Sequence, residues 1–176
     1  GDIERGLNAF EPVGGRSRAL GLALPGRHVA LVDDTYNANP DSVVAAIRVL
    51  TELPAPRLLV LGDMGEVGEQ GLDFHLEVLR HAMASGIESV HCAGDWMAQA
   101  VQVMHAAGEA APRHWTDVTH LTTHVCHTVR AAEALPVRSV LVKGSRFMRM
   151  ERVVQGLQAL DLSAGNTQTI KDTHAA

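Results

Sequence analysis

A chain of 176 residues with 46% hydrophobic content suits one good-sized domain with a short piece of a neighbour attached, and it has enough apolar side chains for a core. Fifteen Lys and Arg against 20 Asp and Glu give a formal charge of −5 with no basic block, which argues against nucleic acid as the main partner and leaves a nucleotide open. No apolar run reaches the roughly 18 residues of a membrane helix, and the first residues lack a signal peptide's basic and apolar regions, so the chain reads as cytoplasmic without membrane insertion.

In chain order, residues 1–17, with Gly6, Pro12, Gly14 and Gly15, do not fit the repeat that follows and read as a linker or the remnant of an adjoining domain. Two extended runs, 18–24 and 28–32, flank a Pro25-Gly26 turn and form an antiparallel pair. Helix 41–52, strand 57–61, helix 70–85, strand 89–93, helix 96–107, strand 113–116, helix 118–132, strand 139–142 and helix 148–160 then alternate. Pro54 and Pro56 stop one helix, Gly86 another and Pro136 a third. Single amphipathic helices between apolar strands build right-handed parallel crossovers. The expected fold is α/β: a doubly wound, Rossmann-like sheet over 18–162, mostly parallel, with one antiparallel strand from the N-terminal hairpin. The small, polar tail 163–176 is expected to be disordered.

Cys92 and Cys126 lie far apart without a C-x-x-C pair, which indicates neither a disulfide framework nor a zinc ribbon; they read as free thiols. Aromatic content of 3% removes the stacking platforms of single-strand nucleic-acid binders.

Three polar loops follow strands, where open α/β sheets collect ligands. The first is Asp33-Asp34-Thr35-Tyr36-Asn37-Ala38-Asn39-Pro40-Asp41-Ser42, with Asp41 or Ser42 available to cap the next helix. The second is Gly62-Asp63-Met64-Gly65-Glu66-Val67-Gly68, with His75 on the helix after it. Its G-x-x-G-x-x-G spacing sits at the wrong junction for a dinucleotide fingerprint, so an NAD site is rejected; structural glycines in a tight loop are the alternative. The third, Lys143-Gly144-Ser145-Arg146, crowds an ammonium, a hinge, a hydroxyl and a guanidinium fork into four residues, a set that suits a carboxylate or phosphate. Lys and Arg also flank strands as plain solvated termini.

His120, His124 and His127 would share one helix face, but a solvent-facing stripe is the better reading than zinc, and no metal site is assigned. Neither cysteine follows a nucleophile elbow, and G-x-S-x-G is absent. No G-x-x-x-x-G-K-[ST] loop is present either, so a complete ATP site is not expected within this sequence.

Together the loops resemble the C-terminal domain of the Mur ligase family, in the branch that handles D-Ala-D-Ala. Asp33 to Ser42 is similar to that branch's D-[DS]-x-Y-N-A-N-P-D-S stretch, Leu61 to Gly68 to L-G-D-M-x-E-L-G, and Val142 to Arg146 with Met150-Glu151 to V-K-G-S-R-x-x-x-M-E. Gly1-Asp2-Ile3, Gly6-Leu7, Phe10, Pro12 and Gly15-Arg16 resemble the segment leaving the central ATPase domain, so the likeness runs over about residues 1–160.

The resemblance implies an ATP-dependent amide ligase of peptidoglycan synthesis. ATP would phosphorylate the terminal carboxylate of UDP-N-acetylmuramoyl-tripeptide, and the amine of D-Ala-D-Ala would attack the acyl phosphate. The C-terminal domain would close over the nucleotide and bring the dipeptide, while covalently linked central and N-terminal domains supply the main phosphate and Mg2+ ligands. A fragment without them is expected to be inactive alone.

By the same resemblance, Arg16 lies near phosphates or the hinge, and Asp34, with Asp33 as fallback, accepts from ribose hydroxyls. Asn37 and Asn39 line that pocket. Lys143, as the catalytic candidate, with Ser145 and Arg146, meets the dipeptide carboxylate or the acyl phosphate. Asp63, Glu66 and His75 shape the acceptor pocket. A stand-alone nucleotide- or carboxylate-binding module and a protein-docking domain remain the alternatives.

Overall fold

The computed structural model describes residues 17–131 and 134–162; the linker 1–17 apart from Ser17, and the tail 163–176, fall outside them. Strands β1 (Arg18–Leu24) and β2 (Arg27–Asp34) fold back on each other antiparallel. Gly26 sits at φ +71°, which a side chain would resist, and so permits the two-residue turn. Then follow α1 (Pro40–Thr51), β3 (Arg57–Gly62), α2 (Gly71–Ala84), β4 (Ser89–Ala93), α3 (Asp95–Ala106), β5 (Arg113–Trp115), α4 (Val118–Arg130), β6 (Ser139–Lys143) and α5 (Glu151–Gln158).

These strands form one six-stranded sheet in the order β1-β2-β6-β3-β4-β5, with every pair after β1·β2 parallel. The doubly wound, mostly parallel fold with one antiparallel hairpin strand is therefore what the alternation predicted. Alternate strand residues serve opposite faces. Val32, Leu59, Leu61, Cys92 and Leu141 pack under α1, α2 and α3. Leu31, Leu58, Val60, Val140 and Val142 pack under α4 and α5. Because both faces are covered, the central strands read as near-continuous apolar runs.

The last crossover returns the chain across the sheet and lays β6 between β2 and β3. From β2 and β3 the chain leaves toward one face; from β6 it leaves toward the other. That reversal opens a crevice at the carboxyl ends of β2, β6 and β3, the place where open α/β sheets take ligands.

Element ends differ from the sequence reading where polar residues carry the ladder on. β2 runs to Asp34 and β6 to Lys143, because these two residues are register partners and continue the pairing beyond the apolar run. The cap of α1 is Asn39, not Asp41 or Ser42. Its side chain accepts from Ser42 N while the Ser42 hydroxyl accepts from Asn39 N, a capping box, with Pro40 opening the helix. Residues 146–148 form a 3-10 turn and Arg149 takes φ +51°, so the final helix starts at Glu151. Among the described residues no helix is long and apolar enough to cross a membrane.

Away from the crevice, His91 on β4 accepts from the Trp115 indole N–H at 3.1 Å, and its ring lies 4.9 Å from that of His124. Burial, then the nearby His124 and Arg113, lower its pKa from 6.5 to about 4. The unfolded chain therefore takes up a proton near pH 6.5 that the folded protein refuses until about 4. Stability from this group is complete above pH 6.5 and declines as the pH falls toward 4, by on the order of 3 kcal/mol. Urea midpoints measured at pH 7 and pH 5 should show the decline, and His91→Asn, which keeps an acceptor for the indole, should reduce it.

Candidate functional site at the carboxyl edge of the sheet

The three polar loops meet at this crevice. Lys143, the last residue of β6, is only 2% exposed. Its ammonium donates to Asp34 Oδ2 and to the Asn37 carbonyl, each at 2.8 Å. A buried ammonium must be paired to be tolerated, and this one ties the end of β2 to the turn after it. The pairing takes up only Oδ2 of Asp34. Adjacent Asp33 faces the other way: it accepts from Arg18 at 2.9 Å and, through Oδ1, from the Thr35 hydroxyl at 2.7 Å.

Ser145 is equally enclosed. Its hydroxyl accepts from Gly65 N at 2.5 Å and faces the Ala38 carbonyl at 3.3 Å, while its own N–H donates to Asp63 O at 3.0 Å. One serine thus joins the loops after β2, β3 and β6. The close approach needs a bare backbone at Gly144, where a Cβ would lie 2.6 Å from Met150 Cγ and 3.2 Å from Gly62 Cα.

Asp63 and His75 hold the second loop from behind. The Asp63 carboxylate accepts from Trp96 N at 3.0 Å and Met97 N at 2.9 Å, which satisfies the N-terminus of α3 from a neighbouring strand. His75, on α2, is fully buried; Nε2 accepts from Met64 N at 2.9 Å, so Nδ1 carries the proton and donates to Gly71 O at 2.6 Å. Burial lowers its pKa, so the ring is neutral as this bonding requires.

What these bonds leave open is a groove. One part, about 730 Å³, is lined by Asp33, Thr35, Tyr36, Arg146, Phe147, Arg149 and Glu151. A second part, about 360 Å³, shares Tyr36, Arg146 and Phe147 and adds Asn37, Gly65, Glu66 and Ser145. Arg146 lies between them with its guanidinium 5.2 Å from the centre of the Tyr36 ring. Phe147, 63% exposed, borders both parts of the groove. On the other side of β2, Ser17, Ser42, Asp34 and Lys143 line a small cleft of about 40 Å³.

Of the residues singled out by sequence, Asp33, Asn37, Glu66, Ser145 and Arg146 border the groove, and Asp34 and Lys143 border the cleft. Asn39 is committed to its cap, and Asp63 and His75 face inward. Arg16 lies outside the described residues. Tyr36, Phe147, Arg149 and Glu151 were missed as lining residues. Tyr36 stood in the quoted loop as the one tyrosine of the chain, and that rarity was its available signal. Phe147 and Arg149 gave none, since the 3-10 turn that projects them has no simple period.

The histidine stripe does other work: His120 pairs with Asp117 at 2.7 Å and His124 stacks on Trp115 at 4.3 Å. Among the described residues no three His, Cys, Asp or Glu side chains gather as a metal site.

Residues 15–146 match the family described as Mur ligase, glutamate ligase domain. Over 156 residues the chain is 37% identical to the UDP-N-acetylmuramoyl-tripeptide--D-alanyl-D-alanine ligase of Escherichia coli (strain K12), covering 89% of this chain and 32% of that protein. It is 32% identical over 158 residues to the Haemophilus influenzae protein of the same name, covering 89% and 33%. A crystal structure of MurF from Acinetobacter baumannii superposes with a TM-score of 0.70 at 25% identity, over 88% of this chain and 33% of that one. The MurF ligase of Thermotoga maritima, solved in complex with ADP, shares the fold with a TM-score of 0.63 at 21% identity, over 86% and 32%. The chain thus spans about a third of the length of these curated relatives. With the family pattern covering most of the sheet and all three loops, the chain belongs to the Mur ligase family and forms its C-terminal domain.

Proposed function

We propose that this domain, residues 18–162, works within a longer ATP-dependent ligase that joins D-Ala-D-Ala to UDP-N-acetylmuramoyl-tripeptide in peptidoglycan synthesis. One observation carries the reading: three loops far apart in sequence converge around a groove whose exposed side chains suit small charged ligands. In this reading ATP supplies the phosphoryl group that activates the tripeptide carboxylate, and Mg2+ is held by residues beyond this chain.

The chemistry of the lining fits half of a nucleotide site. Asp34, fixed through Oδ2 by Lys143 beside the small cleft, retains Oδ1 for a ribose hydroxyl, and Asp33, which lines the groove itself, is the second candidate. Arg16 serves the phosphates or the hinge, and Asn37 offers its amide to the groove between nucleotide and dipeptide. Arg146 suits the dipeptide carboxylate, because a guanidinium can bind two oxygens at once. Lys143 and Ser145, both about 2% exposed, act by holding the loops in place. Asn39, Asp63 and His75 support the same loops from within.

Such a domain contributes positioning, and placing two reactants in attack geometry is worth up to roughly 7 to 11 kcal/mol. The reading is tested by ATP-driven amide formation. The longer protein should ligate the dipeptide and release phosphate, and the isolated chain should do neither. Cytoplasmic location belongs to the same proposal.

A further inference from the structure

Glu66 stands apart from the rest of its loop. The three residues before it are each pinned by a different element: Asp63 by the N-terminus of α3, Met64 by His75, and Gly65 by Ser145. Glu66 then takes φ +56°, a left-handed conformation that a residue with a Cβ adopts at a cost. Its side chain is exposed into the 360 Å³ part of the groove, and among the described residues it has no hydrogen-bond or ion-pair partner. The same space is lined by Arg146, which carries the opposite charge, is exposed and lies against the Tyr36 ring. Asn37, Tyr36 and Phe147 line the same space as these two charges.

One carboxylate and one guanidinium in a single aromatic-walled pocket suit a zwitterion with a small apolar body. A polyphosphate would be repelled by Glu66. We infer that Glu66 accepts hydrogen bonds from the amino group of the incoming dipeptide while Arg146 holds its carboxylate, so the pair sets the orientation in which D-Ala-D-Ala lies. The inference rests on the ligase reading above. It also explains a rigid, strained loop in a place where a relaxed one would not fix the direction of a carboxylate.

The test uses the longer ligase with Glu66→Gln and Glu66→Gly. Glutamine removes the charge and keeps the strained backbone; glycine removes the side chain and relieves the strain. Both should raise KM for D-Ala-D-Ala about tenfold or more, as expected for a lost hydrogen bond to a charged group, with KM for ATP changed less than about twofold. Propionyl-D-alanine, which lacks the amino group, should inhibit wild type and Glu66→Gln equally. An unchanged dipeptide KM in Glu66→Gln, or equal weakening of the desamino analogue, would overturn the inference while leaving ligation intact. A wild-type enzyme that fails to ligate the dipeptide would overturn the ligase reading and this inference with it.

Discussion

Lys143→Met should lower stability by about 3–5 kcal/mol, the usual cost of removing one member of a buried ion pair. Methionine keeps an unbranched chain in the slot, so the loss comes from charge. Asp34 would be left without its ammonium, and the Asn37 carbonyl without a donor. Urea denaturation of the isolated chain measures the effect. Lys143→Met combined with Asp34→Asn should recover much of the stability, because no unpaired charge then remains. In the longer enzyme both the single and the double variant should lose ligation severely, since neither presents a fixed carboxylate at the end of β2. Recovery of stability without recovery of activity separates the pair's role in the site from its role in folding.

Gly94→Ala carries the second large effect, at a position that touches no part of the groove. Gly94 has φ +124° and ψ 162°, a region open essentially to glycine alone. A Cβ there would lie 2.2 Å from Asp63 Oδ1 and 2.3 Å from its Cγ. Either Gly94 changes its backbone or Asp63 gives up the two N–H groups of α3 that it satisfies. Strain of about 1–3 kcal/mol and an unsatisfied helix start of similar size together predict a loss on the order of 3–5 kcal/mol. Thermal or urea unfolding of the variant reads it directly. Asp63→Asn should be milder, since an amide oxygen can still accept.

The alternation of apolar strands and amphipathic helices makes the fold legible in the sequence. Short continuous runs such as Leu58-Leu59-Val60-Leu61, bounded by Pro54, Pro56 and Gly62, read as strands covered on both faces, and the Pro and Gly positions closed the helices between them. The strand order was not legible, because nothing local in Ser139–Lys143 says that it inserts between β2 and β3. That insertion brings Lys143 to Asp34 and Ser145 to Gly65, contacts made between residues about 80 to 110 apart in sequence.

Residue type alone located the loops and misjudged the direction of several side chains. Asp63 and His75 have the chemistry of site residues, yet their polar atoms are spent on Trp96, Met97, Met64 and Gly71. Asn39 was expected, by resemblance, to line the nucleotide pocket, and its oxygen closes a capping box. In each case a buried or terminal backbone group competed for the side chain, a demand that appears only once the helices and strands are placed.

Phosphate release by the longer protein, followed as D-Ala-D-Ala is titrated in the presence of ATP and UDP-N-acetylmuramoyl-tripeptide, reads out the proposed ligation. Release should be saturable and dipeptide-dependent, disappear when residues 18–162 are deleted, and be severely reduced by Asp34→Ala. Release that ignores the dipeptide, or that survives loss of this domain, would contradict the proposed function.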